Sequence, residues 1–236
     1  MKTLAIIQPF YIPWKGYFDI INDSDEFILY GDVRYTEHSW LNRNQVKTPN
    51  GVQWITIPVR TKGRYEQIIY TAELVDSKWA KKHFNTIQSF YSKAPFWKTY
   101  KEILNELYIL AEKETHICKI NELFLREICK LLGITTKIKL SKEYPLTSGK
   151  TEKLIDMCLQ AKATRYISGS IAKDYIDSTQ FGAAGIELVW KDYSGYPEYP
   201  QLHGEFTHGV SILDVLLNTG ENAPYYIWGW RHEVGK

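Results

Sequence analysis

The chain has 236 residues, of which 44% are hydrophobic and 24% charged, and its formal net charge is +2. This length allows one large or two small domains with a sizeable core, and the composition is that of an ordinary globular protein. The near-neutral charge excludes the electrostatic signature of a protein that binds nucleic acid or an anionic membrane surface. Aromatic residues reach 14%, which favours either an aromatic-lined ligand site or a tyrosine-rich core.

The number and spacing of the cysteines indicate the redox state of the compartment in which the protein works. Cys118, Cys129 and Cys158 form no closely spaced pair, and their odd number argues against a disulfide framework. We therefore expect a reducing, cytoplasmic environment in which they are small buried hydrophobic residues. The N-terminal apolar run is too short for a signal peptide, and no stretch reaches the length of a transmembrane helix, so we expect no membrane span.

The start of the chain predicts a buried strand that ends in a shaped loop. The apolar run 4–7 precedes a loop rich in proline and aromatic residues, and the amphipathic run 17–21 follows as a helix. Because α/β proteins bind ligands outside the carboxyl ends of their strands, this loop is a candidate pocket wall. We expect substrate contacts from Gln8, Tyr11 and Trp14.

Strands and helices alternate along most of the chain. Further strands are predicted at 26–30, 54–59, 68–74, 137–140, 166–168 and 186–190. Three consecutive amphipathic helices occupy about 77–133, and two more helices are predicted at 151–161 and 211–217. This alternation predicts a mainly parallel, Rossmann-like α/β sheet. With no repeat or linker in the sequence, we expect a single domain, 1–236, with the helical subregion as an insertion or cover.

A polar segment that follows the second predicted strand carries the next group of candidates, and we expect it to be irregular. Trp40-Leu41-Asn42-Arg43-Asn44 places two amides around a guanidinium, which suits bidentate binding of a carboxylate or phosphate; the alternative is a solvated loop. Asp32 and His38 lie in the same segment, and a histidine beside a carboxylate is typical of a general base. Arg43 is also a candidate partner for Asp214 in the last predicted helix.

Three further motifs allow competing interpretations. Ser148-Gly149-Lys150-Thr151 resembles the end of a P-loop, but Tyr144 occupies the position that needs glycine, so we predict a plain helix N-terminus. Ser168-Gly169-Ser170 follows a strand and is either an anion-binding turn or an ordinary tight turn. No metal site is predicted, because no zinc spacing relates His203, Glu205 and His208.

Taken together, these stretches resemble the WbqC-like family of bacterial proteins over nearly the whole chain. The matching pieces are Gln8-Pro9 with Pro13, Gly16-Tyr17-Phe18, Asp32-Val33, Trp40-x-Asn42-Arg43-Asn44, Ala94-Pro95-Phe96, Ser168-Gly169, Tyr199-x-Gln201 and Ser211-Ile212-x-Asp214-x-Leu216. The family is associated with O-antigen and other surface-polysaccharide gene clusters. The resemblance therefore implies modification of a nucleotide-linked amino sugar, by acyl or aminoacyl transfer to its amine.

This hypothesis gives the candidate residues roles. Catalysis is assigned to Asp32, His38 and Asp214, although the family pattern does not include the histidine. Substrate binding is assigned to Gln8, Tyr11, Trp14, Trp40, Asn42, Arg43, Asn44, Ser168 and Gly169. We expect no tightly bound cofactor, and the acyl donor is either a loaded acyl carrier protein or a CoA thioester.

Two alternatives remain open at this stage. A nucleotidylyl- or glycosyltransferase on the same kind of sheet would release pyrophosphate or a nucleoside diphosphate. The strand–loop–helix at the start resembles the phosphate-binding loop of nucleotidylyltransferases, but Trp14 and Tyr17 replace its two histidines. A non-catalytic sugar-binding or assembly protein is the other alternative. The apolar tail 225–230 either covers a contact in a homo-oligomer or closes over the pocket.

Overall fold

The computed structural model describes residues 1–145 and 149–234, which hold a parallel five-stranded sheet and a separate hairpin. The strands are β1 (Thr3–Ile7), β2 (Glu26–Leu29), β3 (Arg43–Thr48), β4 (Gly51–Thr56), β5 (Lys137–Leu140), β6 (Arg165–Gly169) and β7 (Glu187–Lys191). The sheet order is β5-β2-β1-β6-β7, and every neighbouring pair is parallel. The predicted mainly parallel, Rossmann-like α/β fold is confirmed.

The strand order creates one switch point. The chain moves outward from β1 through β2 to β5, then crosses back to β6 and continues to β7 on the other side. The connections therefore diverge at the carboxyl ends of β1 and β6. In open α/β sheets this divergence leaves a crevice in which ligands bind.

Helices cover both faces of the sheet. They are α1 (Lys15–Asn22), α2 (Lys78–Tyr91), α3 (Trp97–Ala111), α4 (Ile117–Leu131), α5 (Thr151–Gln160), α6 (Ser178–Ala183), α7 (Ile212–Thr219) and α8 (Arg231–Val234), with a π-helical turn at Tyr225–Gly229. Because side chains alternate across a strand, Ala5 of β1 belongs to one apolar core with Phe18 of α1, whereas Leu4 belongs to the other with Met157 of α5 and Phe181 of α6.

The long connection between β2 and β5 contains the hairpin β3–β4 and the three helices α2–α4. These helices share the apolar core of α1, so they thicken one face of the sheet. Together the three helices occupy residues 78–131. Within the described part of the chain, no helix combines the length and the apolar composition needed to cross a membrane.

Two local predictions were wrong. The predicted strand 68–74 is a 3-10 turn over Ile69–Thr71 flanked by isolated bridges, because no neighbouring segment runs alongside it for long enough to form a ladder. The polar segment predicted to be irregular contains β3, which pairs with β4 across a two-residue turn. The three cysteines are buried, as expected. Ser148 of the P-loop-like motif lies outside the described residues, and Thr151 begins α5.

Candidate functional site

The loop that follows β1 is clamped by side chains from distant parts of the chain. The amide of Asn44 donates hydrogen bonds to the carbonyl oxygens of Tyr11 (3.0 Å) and Ile12 (2.9 Å), and Ser211 Oγ also donates to Ile12 (2.9 Å). Ile12 has φ 35°, in a region that non-glycine residues seldom adopt. Since Asn44 Oδ1 also accepts from the N–H of Gln45 (2.7 Å), this amide is occupied in holding the loop rather than free for a substrate carbonyl.

Gln8 stands at the crevice with its backbone fixed and its side chain free. Tyr17 Oη donates to the carbonyl oxygen of Gln8 (2.8 Å), and the amide of Asn121 donates to that of Pro9 (2.7 Å). The Gln8 side chain is half-buried and has no hydrogen-bond partner among residues 1–145 and 149–234. A preorganised, unoccupied amide at the carboxyl end of β1 is available to a ligand.

The opposite side of the crevice is formed at the end of β6. Ser168 is buried, and the Oη of Tyr193 lies 3.5 Å from the position that a Cβ on Gly169 would take. The Tyr193 ring in turn packs against Trp14, with centroids 5.2 Å apart. Trp14 folds back over Gly16, where an added Cβ would lie only 2.3 Å from the indole. The structure thus brings two predicted groups together through Tyr193, which sequence reasoning missed.

Asp32 lies beyond the carboxyl end of β2, beside a serine that follows β5. Ser141 Oγ donates to Asp32 Oδ2 (2.6 Å) and accepts from the N–H of Gly31 (3.1 Å). Tyr70 Oη lies 3.1 Å from the same serine oxygen. In Rossmann-type dinucleotide sites, an acidic residue at the end of the second strand binds the ribose hydroxyls. Asp32 is half-buried and occupies the corresponding position here.

A second cluster of predicted residues lies on the hairpin. The guanidinium carbon of Arg43 is 4.3 Å from the Trp54 ring centroid, and the Trp54 and Trp40 rings are 5.2 Å apart at 43°. Both tryptophans are exposed, at 44% for Trp40 and 40% for Trp54. Sequence reasoning missed Trp54, because the segment that pairs with its strand was predicted to be irregular.

Two other predicted binding residues are core groups. Tyr11 is fully buried, and its Oη contacts Tyr108 Oη (2.7 Å) and His83 Nδ1 (3.0 Å). Asn42 is also buried, and its amide donates to the carbonyl oxygen of Ile57 (2.9 Å). Neither side chain presents a surface on which a base or sugar could stack.

The predicted histidine–carboxylate pair is not assembled. His38 is exposed, and the carboxylate nearest to its Nε2 is that of Glu37, at 3.8 Å, whereas Asp32 is engaged by Ser141. His203 Nε2 lies 2.8 Å from the carbonyl oxygen of Phe90, in keeping with a structural role. Among the residues that the structure describes, no group of three histidine, cysteine or acidic side chains is arranged for a metal ion.

Asp214 is a buried anchor whose partners differ from the predicted one. It accepts hydrogen bonds from Tyr91 Oη, Tyr199 Oη and Gln201 Nε2, each at 2.7 Å. Burial raises the pKa of this carboxyl, and the three hydrogen bonds counteract the rise. The proposed partner, Arg43, stacks on an indole instead. Asp214 therefore holds the segment around Tyr199 in place.

Lys15, the first residue of α1, is the unexpected feature of this region. The side chain is only 3% exposed, and its Nζ lies 4.8 Å from the Tyr196 ring centroid and 5.4 Å from that of Tyr199. Among residues 1–145 and 149–234, its Nζ donates one hydrogen bond, to the carbonyl oxygen of Pro197 (3.3 Å), and no carboxylate lies within 4.0 Å of that nitrogen. Burial lowers the pKa of Lys15 to about 8.

The two tyrosines that flank this lysine are themselves hydrogen-bonded to buried carboxylates. Tyr196 Oη donates to Asp19 (2.5 Å), as Tyr199 Oη does to Asp214 (2.7 Å), so each ring carries a buried carboxylate behind it. The His208 ring lies 6.3 Å from that of Tyr196, and its buried Nδ1 has no hydrogen-bond partner among the described residues. Burial and the nearby ammonium lower the pKa of His208. The region around Tyr196 and Tyr199 therefore contains two basic nitrogens, Lys15 Nζ and His208 Nδ1.

Comparison with known proteins assigns the chain to a family. Residues 8–226 match the model of the WbqC-like protein family. The chain is 45% identical over 227 residues to the "Uncharacterized protein Rv1507c" of Mycobacterium tuberculosis, an alignment that covers 96% of this chain and 98% of that protein. No solved structure matches the chain. The clamped loop, the Asp32 position and the hairpin cluster all lie within the matched range, and the chain belongs to the WbqC-like protein family.

Proposed function

We propose that this protein is a transferase of surface-polysaccharide biosynthesis that joins an acyl or aminoacyl group to the amine of a nucleotide-linked amino sugar. The observation that carries the proposal is the strand-order switch point, with the free amide of Gln8 at the end of β1 and Asp32 beyond the end of β2. This is where Rossmann-type sheets bind nucleotides, and the nucleotide part of the proposal rests on that analogy.

In the proposed complex, the nucleotide lies across the carboxyl ends of the strands. Asp32, oriented by Ser141, accepts hydrogen bonds from the ribose hydroxyls. The turn at Ser168–Gly169 faces the phosphates, and the side chain of Gln8 contacts the sugar. Two roles predicted from sequence, those of Asn44 and Tyr11, have no part in this complex because their polar groups are already occupied.

Lys15 is the base that we propose for the amine. A sugar ammonium has no lone pair, so it must first lose a proton. Lys15, with a pKa of about 8, accepts this proton in the molecules in which it is itself unprotonated, and their fraction grows as the pH approaches 8. The sugar nitrogen then forms a bond to the thioester carbonyl carbon, and the C–S bond breaks. Lys15 takes the first proton, and the departing thiolate takes the second. Holding the two substrates together supplies the larger part of the rate.

The buried position of Lys15 requires an opening. Between β7 and α7, the segment 192–211 contains no helix or strand and covers the lysine through Tyr196, Pro197 and Tyr199. Long irregular segments within compact domains are commonly active-site lids. We propose that the part of this segment around Tyr196 and Pro197 moves aside when the sugar nucleotide binds, while Asp214 keeps Tyr199 in place.

The test is a reaction panel of nucleotide-linked amino sugars with CoA thioesters and loaded acyl carrier protein, read by mass spectrometry. An amide product that disappears in Lys15→Met and persists in the exposed control Lys62→Met supports the proposal. Release of pyrophosphate or a nucleoside diphosphate would identify the nucleotidylyl- or glycosyltransferase alternative. Binding of a nucleotide sugar without any turnover across the panel would identify a non-catalytic sugar-binding protein.

A further inference from the structure

The hairpin presents an aromatic surface that the crevice does not use. We call the rings of Trp40 and Trp54, together with the guanidinium of Arg43, the Trp–Arg platform. Residues 51–54 of β4 are exposed, whereas Ile55 enters the core. Two adjacent indoles that remain 44% and 40% exposed form an apolar patch suited to stacking against a flat ring.

Arg43 gives this platform a positive charge that has no anionic partner among the described residues. One face of its guanidinium is covered by Trp54 at 4.3 Å, which leaves the N–H edges for a partner. Within residues 1–145 and 149–234 no carboxylate lies within 4.0 Å of it, and its buried Nε has no hydrogen-bond acceptor. The terminal N–H groups of Arg43 are therefore the ones available to an anionic ligand, which would supply the missing charge partner.

The chemistry of the platform selects the ligand. A guanidinium edge matches a phosphate group in bidentate geometry, and exposed indoles stack on nucleobases. A neutral sugar could stack on the indoles but would leave Arg43 unpaired. The platform is separate from the cavity of about 540 Å³ lined by Gln53, Lys78, Lys81 and Lys82, because Gln53 and Trp54 are successive residues of β4 and point to opposite faces of the hairpin.

We infer that the Trp–Arg platform binds the nucleotide end of the acyl donor, so that the donor is a CoA thioester rather than a carrier protein. The inference rests on the proposed function for the role of the ligand. The platform adjoins the crevice through one loop, because the carbonyl oxygen of Trp40 accepts from the N–H of Tyr11 (2.9 Å), three residues beyond Gln8. Donor and sugar nucleotide would therefore occupy the two ends of the same clamped loop.

Calorimetry with the full chain tests this site without any turnover. CoA and adenosine 3′,5′-bisphosphate are expected to bind the wild type, whereas pantetheine alone is not. Arg43→Gln and Trp54→Leu should each weaken CoA binding by about tenfold or more. Matched controls are Arg126→Gln, on an exposed face of α4, and Tyr65→Leu, at an exposed tyrosine in a separate loop; both should bind CoA as the wild type does.

The outcomes separate this site from the proposed function. Absence of CoA binding to the wild type, or equal binding by Arg43→Gln, would overturn the inference; so would binding of pantetheine alone. Arg43→Gln carries the test if Trp54→Leu does not fold. CoA binding that depends on the platform, without any amide product, would support the proposed CoA site and contradict the proposed transferase function. Amide formation from carrier protein alone, unaffected by Arg43→Gln, would keep the transferase and reject the site.

Discussion

The side-chain amide of Asn44 lies 2.9 Å from the carbonyl oxygen of Ile12, and this contact joins the hairpin to the loop that forms the crevice. Ile12 has a positive φ, a conformation that persists only where the surroundings enforce it. Ser211, just before α7, donates to the same carbonyl. Three segments that are remote in sequence therefore meet at one strained residue, and the crevice depends on all of them.

Asn44→Ala tests this clamp. The change removes two hydrogen bonds from buried carbonyl oxygens and leaves the N–H of Gln45 without its side-chain acceptor. We expect the free energy of unfolding to fall by about 2–4 kcal/mol, measured by urea denaturation. Asn50→Ala, at the exposed hairpin turn, is the control and should change it by less than about 0.5 kcal/mol. Equal stability of the two variants would show that the clamp contributes little.

Gly16→Ala tests the wall formed by Trp14. The added methyl group would lie 2.3 Å from the indole, so the ring must leave its place beside Tyr193. We expect a loss of about 1–3 kcal/mol and a changed tryptophan emission spectrum. The control is Gly182→Ala in α6, where no atom lies within 4 Å of the new methyl group. That variant should be as stable as the wild type or gain up to about 1 kcal/mol.

The lowered pKa of Lys15 predicts a pH dependence of stability. The folded chain releases this proton at about pH 8 and the unfolded chain at about 10.5, so the unfolded state binds more protons between these values. Stability therefore rises with pH across this window, by up to about 3 kcal/mol from this group. The neighbours that bear on the titration are Asp19, Tyr196, Glu198, Tyr199, His208 and Asp214.

Because tyrosines titrate in the same range, the measurement is a comparison with Lys15→Met. The free energy of unfolding of the wild type minus that of the variant should be constant below pH 8 and should rise from pH 8 to 10.5. Methionine preserves the apolar stem and removes the charge. A flat difference over this range would mean that Lys15 is an ordinary solvated lysine, and the proposed base would then lose its support.

Asp214→Asn tests the anchor beneath Tyr199. The substituted amide keeps one oxygen and replaces the other with an NH₂ group, which lies either at Oδ2, against the Tyr91 hydroxyl, or at Oδ1, against the Tyr199 hydroxyl and the Gln201 amide. In either orientation at least one buried donor loses its carboxylate acceptor. We expect a loss of about 3 kcal/mol by thermal and urea denaturation. Asp192→Asn, at an exposed position after β7, should leave the unfolding curve unchanged. A stable Asp214→Asn variant would indicate that the carboxyl is protonated in the folded protein.

Local patterns account for what could be predicted from the sequence. The apolar run 4–7 with its proline-rich loop and amphipathic helix, and the three central helices, are local signals because their periodicity reflects one buried face. The prediction of a strand at 68–74 was wrong because strand formation depends on a distant partner rather than on a local signal. A strand needs a partner along its length, and the chain offers this segment only isolated bridges.

Residue patterns along the chain were enough to predict the parallel α/β class, the special loop after β1, and Gln8 and Asp32 as polar groups at strand ends. They did not predict that Asn44 clamps the backbone or that Lys15 is enclosed by two tyrosines. Hydrogen-bond partners and burial depend on which distant segments meet, and no local pattern contains that information. The loop after β1 is thus a pocket wall whose shape is held by residues far from it in sequence.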